Sequence, residues 1–333
     1  MDAIQQHFSS LEASKLAINA GSDILIEPVK LHLREDIDLM DQYIKDMVEL
    51  AENGEIDNKR IDESVLRILK LKEERGMLAF NENDDVDSRI ENAKSIVGSE
   101  ENHQKEMEII EKGITVVKNE DNTLPISLED GNRALILYSN RVMSHDISVE
   151  LALKRLGSQG IITDESPIDQ KAYDTESDND IVELAKDYDY LIVLTELRSE
   201  AELDPDAEED KGYQARLMQA LAKEYKNSSK KIIDISIHLP YDISEFSELS
   251  DAVVCCYNCK DCVMSADVEP EEGDSPSYCY NVPAAITAVF DGFDAKGTLP
   301  VDIPSIDENY HYTDKILYKA GSNSDNYYSK RNK

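Results

Sequence analysis

Between residues 114 and 290, short unbroken apolar segments alternate with amphipathic ones. Ile114–Asn119, Ala134–Tyr138, Tyr190–Leu194, Lys231–Ile237 and Ala252–Tyr257 read as strands. Helical spacing fills 146–156, 178–187, 211–226 and 282–290. Strands that are apolar on both faces must be covered on both faces, and helical crossovers between them make the sheet parallel. Right-handed crossovers then predict a three-layer α/β sandwich.

The stretch before it is organised differently. Ser9 and Glu12 have capping-box spacing, so a helix starts near Leu11, with Leu16, Ala17 and Ile18 on its apolar side. Gly21 stands where a left-handed C-terminal residue is wanted. Asp23-Ile24-Leu25-Ile26 reads as a short buried parallel strand. A helix feeding one strand is half of a β/α repeat, and half a repeat cannot close its own core. Two further helices are expected over 37–54, stopped by Asn53-Gly54, and over 56–76, capped by Gly76. Residues 79–87 are polar and unpatterned and read as a linker. A long helix over 88–112 leads to Gly113, and the polar tail 306–333 frays from Gly321 onward.

Composition excludes several partners. Lys and Arg number 35 against 70 Asp and Glu, a net charge of −35. Nucleic acid and anionic membrane surfaces need clustered cations, so neither fits. No segment approaches the roughly 18 apolar residues of a membrane span. No signal peptide is visible at the N-terminus, and five Cys, four of them clustered over 255–262 with Cys279 apart, do not look like a disulfide framework. Together these favour a cytoplasmic setting for the chain as given. No cofactor motif is present.

Several strings carry a resemblance to glycoside hydrolase family 3, on its β-N-acetylglucosaminidase branch. Met1–Pro28 resembles the segment from the seventh helix to the eighth strand of that family's barrel. Glu55-Ile56-Asp57, Arg60-Ile61 and Ser64-Val65 through Arg67-Ile68-Leu69 to Leu71-Lys72 resemble the last barrel helix. Val117-Lys118-Asn119 and Leu124-Pro125 resemble the start of the second domain. Ser236–Asp242, Asn281–Ile286 and Lys296–Pro304 follow in the family's order, and the last string is the most specific. The implied fold is an incomplete tail of a (β/α)8 barrel over 1–78, followed by an α/β sandwich with a mainly parallel sheet over 88–305.

The resemblance implies retaining hydrolysis of terminal β-linked N-acetylglucosamine, with carbohydrate as the partner. Met1 matches a methionine just after the family's nucleophilic Asp, and the acid/base His belongs to an earlier barrel loop. The expectation is therefore a chain without its own catalytic pair, inactive alone, that works with a barrel half which can be separately encoded. A non-catalytic interaction or relic domain is the alternative, and a β-glucosidase-type member is a second.

Candidate residues are weighed on that basis. Met1, Asp2 and Glu27 would lie near the substrate in an intact barrel, and Glu27 stands where the family commonly has an apolar residue. His7, beside Phe8, reads as a packing residue. The acidic loop from Glu200 through Glu202, Asp204, Asp206 and Glu208 to Asp210 reads as a solvated face, although β-glucosidase relatives draw an acid/base from this vicinity. Cys256, Cys259 and Cys262, with Cys279 as a fourth ligand, have a zinc-type spacing. The strand position of Cys255 and Cys256 favours small buried hydrophobes instead.

Overall fold

The computed structural model describes residues 4, 7–78, 85–97, 99–128, 131–141, 145–163, 165–208, 211–225, 228–258 and 280–324. The chain divides into two compact units, Met1–Asp87 and Ser88–Lys333.

The first unit contains α1 (Ser10–Asn19), α2 (Ile37–Glu52) and α3 (Asn58–Glu74). Each start has a local cause. The Glu12 backbone N–H donates to Ser9 Oγ at 3.2 Å, and the Lys59 N–H donates to Asp57 Oδ1 at 2.9 Å. Gly21, Gly54 and Gly76 take positive φ where the helices stop. Ser14 accepts from the Tyr43 hydroxyl at 2.7 Å, which ties α1 to α2. Asp23 is the hub between α1 and α3. It accepts from Arg60 (2.9 Å), Ser64 (2.8 Å) and Arg67 (2.7 Å). These donors hold its carboxyl far below the usual carboxylate range.

The strand expected at 23–26 does not form, and Ile24 and Ile26 are exposed instead of buried. A strand needs a ladder partner, and the described residues of this unit offer none. Ile56 is the one apolar side chain fully buried among them.

The second unit is built on a six-stranded sheet with the order β1-β6-β5-β4-β2-β3. Its strands are β1 (Thr115–Asn119), β2 (Ala134–Tyr138), β3 (Ile168–Ala172), β4 (Tyr190–Thr195), β5 (Lys231–Ser236) and β6 (Ala252–Cys255). β2 to β6 run parallel, and β1 is antiparallel to β6 at one edge. β3 is the opposite edge. Its polar sequence, Ile168-Asp169-Gln170-Lys171-Ala172, carries no apolar run, which is why the pattern does not reveal it.

The helices are α4 (Val86–Ile96), α5 (Glu100–Gly113), α6 (Asp146–Ser158), α7 (Asp178–Ala185), α8 (Tyr213–Tyr225), α9 (Ile243–Leu249) and α10 (Asn281–Val289). The single helix expected over 88–112 is two, because the Ser99 hydroxyl caps a fresh start by accepting from the Asn102 N–H at 3.4 Å. α4 also begins inside the stretch read as linker.

Alternation along the strands divides the core. Ile136, Ile192 and Ile233 face α6 and α10, whose Ala152, Leu156, Ala285 and Ile286 are fully buried. Leu135, Leu137, Leu191 and Val193 face Ile181 of α7 and Met218 and Leu221 of α8. This is the three-layer sandwich that the alternation predicts.

Beyond Ser305 the chain is more ordered than a polar tail. β7 (Ile303–Ile306) and β8 (Tyr312–Tyr318) form an antiparallel hairpin. Its buried Ile303 packs with Val117, Val253 and Leu299. Fraying from Gly321 is not observed over 321–324 either. The Gly321 N–H donates to Leu299 O at 2.7 Å and the Ser324 N–H to Val116 O at 2.6 Å. Residues 325–333 lie outside the described residues.

Candidate functional site

In a parallel sheet every strand ends on the same edge, so the loops after β2 to β6 gather there. Chain order reverses between β2 and β4, and the crevice at such a switch point is where α/β sheets bind ligands. Ser139 follows β2, and Glu196 and Arg198 follow β4. Asp174 lies just beyond β3. It accepts from the Ser139 hydroxyl at 3.2 Å and the Asn140 N–H at 2.9 Å. Tyr213, at the start of α8, has its hydroxyl 3.2 Å from Ser139 Oγ, and the Arg141 guanidinium lies 4.7 Å from its ring centre. Gln214 accepts from the Glu196 N–H and donates to its carbonyl, at 2.8 and 3.1 Å. Arg198 grips the Glu196 carboxylate through Nε and Nη2, at 2.8 and 2.6 Å.

Below this edge lies a buried polar knot. Thr195 Oγ1 is 2.8 Å from Asp234 Oδ1 and 2.9 Å from Asp242 Oδ2. Ser236 donates to Asp242 Oδ1 at 2.6 Å. Both carboxyls have no solvent exposure. Burial is the main cause that pushes each above the usual carboxylate range, and the neighbouring Asp242 adds to the effect on Asp234. Burial also raises the Cys255 thiol and the Tyr173 hydroxyl.

The acidic loop is structured work, not only a solvated face. Glu200 accepts from the Tyr312 N–H, and its carboxylate is 3.8 Å from His311 Nδ1. Glu202 accepts from the Arg198 N–H at 3.0 Å. Asp204 turns the chain by accepting from the Asp206 N–H at 2.9 Å. His238 has Nδ1 3.0 Å from Leu197 O, which fixes its ring at the same edge. Asp210 lies outside the described residues.

Asp234 and Asp242 cannot be reached by a substrate, and Glu196 is clamped by Arg198. Sequence reasoning missed the knot because Asp234 sits inside an apolar run and Asp242 reads as part of a loop; only the sheet brings them together.

The other sequence candidates are dispersed. Glu27 is exposed, with φ 47°, at the end of the unpaired segment. His7 is exposed and not packed. Met1 and Asp2 lie outside the described residues, as do Cys259, Cys262 and Cys279. Cys255 and Cys256 are buried at the end of β6. Among the described residues no group of three His, Cys, Asp or Glu is placed to hold a metal ion, and no helix is long and apolar enough to cross a membrane.

No protein-family profile matches the chain. The chain is 24% identical over 315 residues to β-hexosaminidase A of Pseudoalteromonas piscicida, a match covering 91% of this chain and 48% of that protein. It therefore spans about half the length of the curated relative it matches. Among solved structures, a fungal multi-domain GH3 β-N-acetylglucosaminidase matches with a TM-score of 0.52 and 20% identity, over 96% of this chain and 30% of that one. A β-glucosidase from Listeria innocua matches with a TM-score of 0.53 and 17% identity, over 95% of this chain and 44% of that one. The fold is thus that of the C-terminal part of a family 3 glycoside hydrolase. The sequence resembles that one β-hexosaminidase over nine-tenths of its own length.

Proposed function

We propose that the chain is the C-terminal portion of a family 3 glycosidase that releases terminal β-linked N-acetylglucosamine with retention. The observation that supports this most is the hexosaminidase match, which runs through both units and not only the sandwich. In this reading, residues 1–78 are the last part of a β/α barrel, and 88–324 are a following sandwich domain. The nucleophile and the acid/base are supplied by the part of the enzyme that corresponds to the unmatched half of the relative. Retaining chemistry needs one carboxylate on the anomeric face and a proton donor on the other. Of the carboxylates at the strand-end edge, Glu196 is paired with Arg198, Asp174 accepts from Ser139, and Asp234 and Asp242 sit in the buried knot.

A second reading, β-glucosidase specificity, has the Listeria innocua structure in its favour. The two are separated by assaying the barrel-completed protein on paired chromogenic substrates, a β-N-acetylglucosaminide and a β-glucoside. The hexosaminidase reading requires kcat/KM to favour the first by at least tenfold. A preference for the glucoside overturns it.

A further inference from the structure

We propose that β3 is a self-complementary edge through which two copies of this chain join, antiparallel, so that their six-stranded sheets run on as one. Three observations in the second unit carry this, none of them tied to the glycosidase reading.

The first is an open edge. β3 ends the strand order, with β2 on one side and no described strand on the other, and Asp169 and Gln170 are exposed. The Ala134 N–H donates to Pro167 O at 2.9 Å, which fixes the parity of β3 in its parallel ladder. The backbone groups of Asp169 and Lys171 therefore turn to β2, and those of Ile168, Gln170 and Ala172 turn outward. Two outward groups are already used. The Ile168 N–H donates to Ser166 O at 2.8 Å, and Ala172 O accepts from Thr175 Oγ1 at 3.0 Å. Among the described residues, the Ile168 C=O, both groups of Gln170 and the Ala172 N–H stay open to a further strand.

The second is the order of the side chains. Turned end for end about Gln170, Ile168-Asp169-Gln170-Lys171-Ala172 meets itself with Ile168 on Ala172 and Asp169 on Lys171. The open groups match this register. Gln170 exchanges both bonds with its counterpart, and each Ile168 C=O receives an Ala172 N–H. Asp169 and Lys171 fall at the non-hydrogen-bonded pair, where side chains approach most closely and opposite charges attract. A parallel neighbour in register would instead set Asp169 on Asp169. In the single chain Asp169 pairs with Arg133 at 3.1 Å and Lys171 with Glu176 at 2.7 Å. Both are half-exposed ion pairs, which contribute little, so sharing them across a joint costs little.

The third is an apolar groove beside the edge. Leu153, Ile162 and Ile168 line it with Gly157 and Gly160, and its volume is about 720 Å³. It lies on the side where Ile168 and Ala172 pack against the core under α6 and α10. The Ile168–Ala172 pairs of the joint prolong that apolar surface into the second copy. An unrelated strand would have to bring a cation to Asp169 and an acid to Lys171 at this spacing. A second copy brings both by construction, and brings them twice, as a twofold joint requires.

Sedimentation equilibrium of the full chain, with hydrogen exchange followed over the same concentrations, tests the joint. The chain should dimerise, and exchange at the Gln170 and Ala172 amides should slow as the dimer fills. Lys171→Glu and Asp169→Lys each set like charges across the joint, and each should dimerise roughly tenfold more weakly. Mixed one to one, the two variants restore opposite charge at every pair, so their heterodimer should regain the parent's affinity. That recovery also shows both variants to be folded. A parent that sediments as a monomer throughout, Gln170 exchange that ignores concentration, or full affinity in both variants overturns the joint. A mixture no tighter than its two components does so equally. The exchange measurement needs no variant, so it decides the matter even where a substitution unfolds the edge.

Discussion

Asp234 and Asp242 reach for the same hydroxyl. Thr195 Oγ1 lies 2.8 Å from one carboxyl and 2.9 Å from the other, with neither carboxyl open to solvent. A hydroxyl has one proton to donate, so it serves one carboxylate and must accept from the other. Asp242 also accepts from Ser236 at 2.6 Å, so it has more donors to offset a charge than Asp234 has. Asp234 keeps the proton and donates it to Thr195. Its second oxygen, with no partner, fits a neutral acid better than a buried charge.

Stability of the sandwich should therefore fall as pH rises. The raised carboxyl of Asp234 binds a proton in the folded state that the unfolded chain releases near pH 4. Its contribution is fully present below about pH 4 and is lost toward the raised folded value, by at most about 1.4 kcal/mol per pH unit for one proton. Asp234→Asn cannot ionise. Urea midpoints between pH 5 and 8 should show the variant gaining on the parent as pH rises. A constant difference across that range would mean that Asp234 is ionised in the fold.

Gly297→Ala should destabilise by roughly 1–3 kcal/mol, the usual range for overpacking. An added Cβ would lie 2.3 Å from Gly113 O and 2.6 Å from Ile114 O, and these are backbone atoms that cannot swing away. The same glycine donates to Ile114 O at 3.0 Å. Urea denaturation of the two proteins checks this, and equal midpoints would show that the close approach is not tight in solution.

Asn119→Ala should cost about 2–4 kcal/mol in the same measurement. Its buried amide pairs the Leu124 N–H at 2.8 Å and the Leu124 C=O at 3.1 Å, and truncation leaves two buried backbone groups unpaired. A loss under about 0.5 kcal/mol would mean that water replaces the side chain.

Much of this fold was legible in the sequence where one face or one rule decides the outcome. The β2, β4, β5 and β6 runs need cover on both faces, so Leu135, Ile192 and Val253 announce a parallel core. Gly21, Gly54 and Gly76 announce helix ends. What was not legible depends on partners distant in the chain. β3 is polar and exists because β2 offers it a ladder. Ile24 and Ile26 look like a buried strand, but no described segment pairs with them. The buried knot joins Thr195, Asp234 and Asp242 across two strands and a helix start, which no local pattern encodes. The Glu200 contact with Tyr312 spans 112 positions and hides inside an ordinary acidic run.

The two units should differ in protection. With Ile56 as its one buried apolar side chain among the described residues, the first unit has little to oppose local opening. Amides of α1 to α3 should exchange faster than those of β2, β4 and β5, and limited proteolysis should leave a fragment beginning near residue 88. Equal protection in both units would show that the exposed apolar face is covered in solution.

Catalysis by the chain is the most direct test. Enzymes lower barriers by roughly 8–23 kcal/mol, and packing residues cannot replace a nucleophile and a proton donor. Hydrolysis of a chromogenic β-N-acetylglucosaminide is compared for the chain alone, for the chain with a barrel fused ahead of Met1, and for that fusion with the barrel's nucleophilic Asp changed to Ala. The account predicts turnover by the fusion only. Turnover by the chain alone, undiminished through successive purification steps, would contradict it and return attention to Glu27 and the Glu200–Glu202 loop.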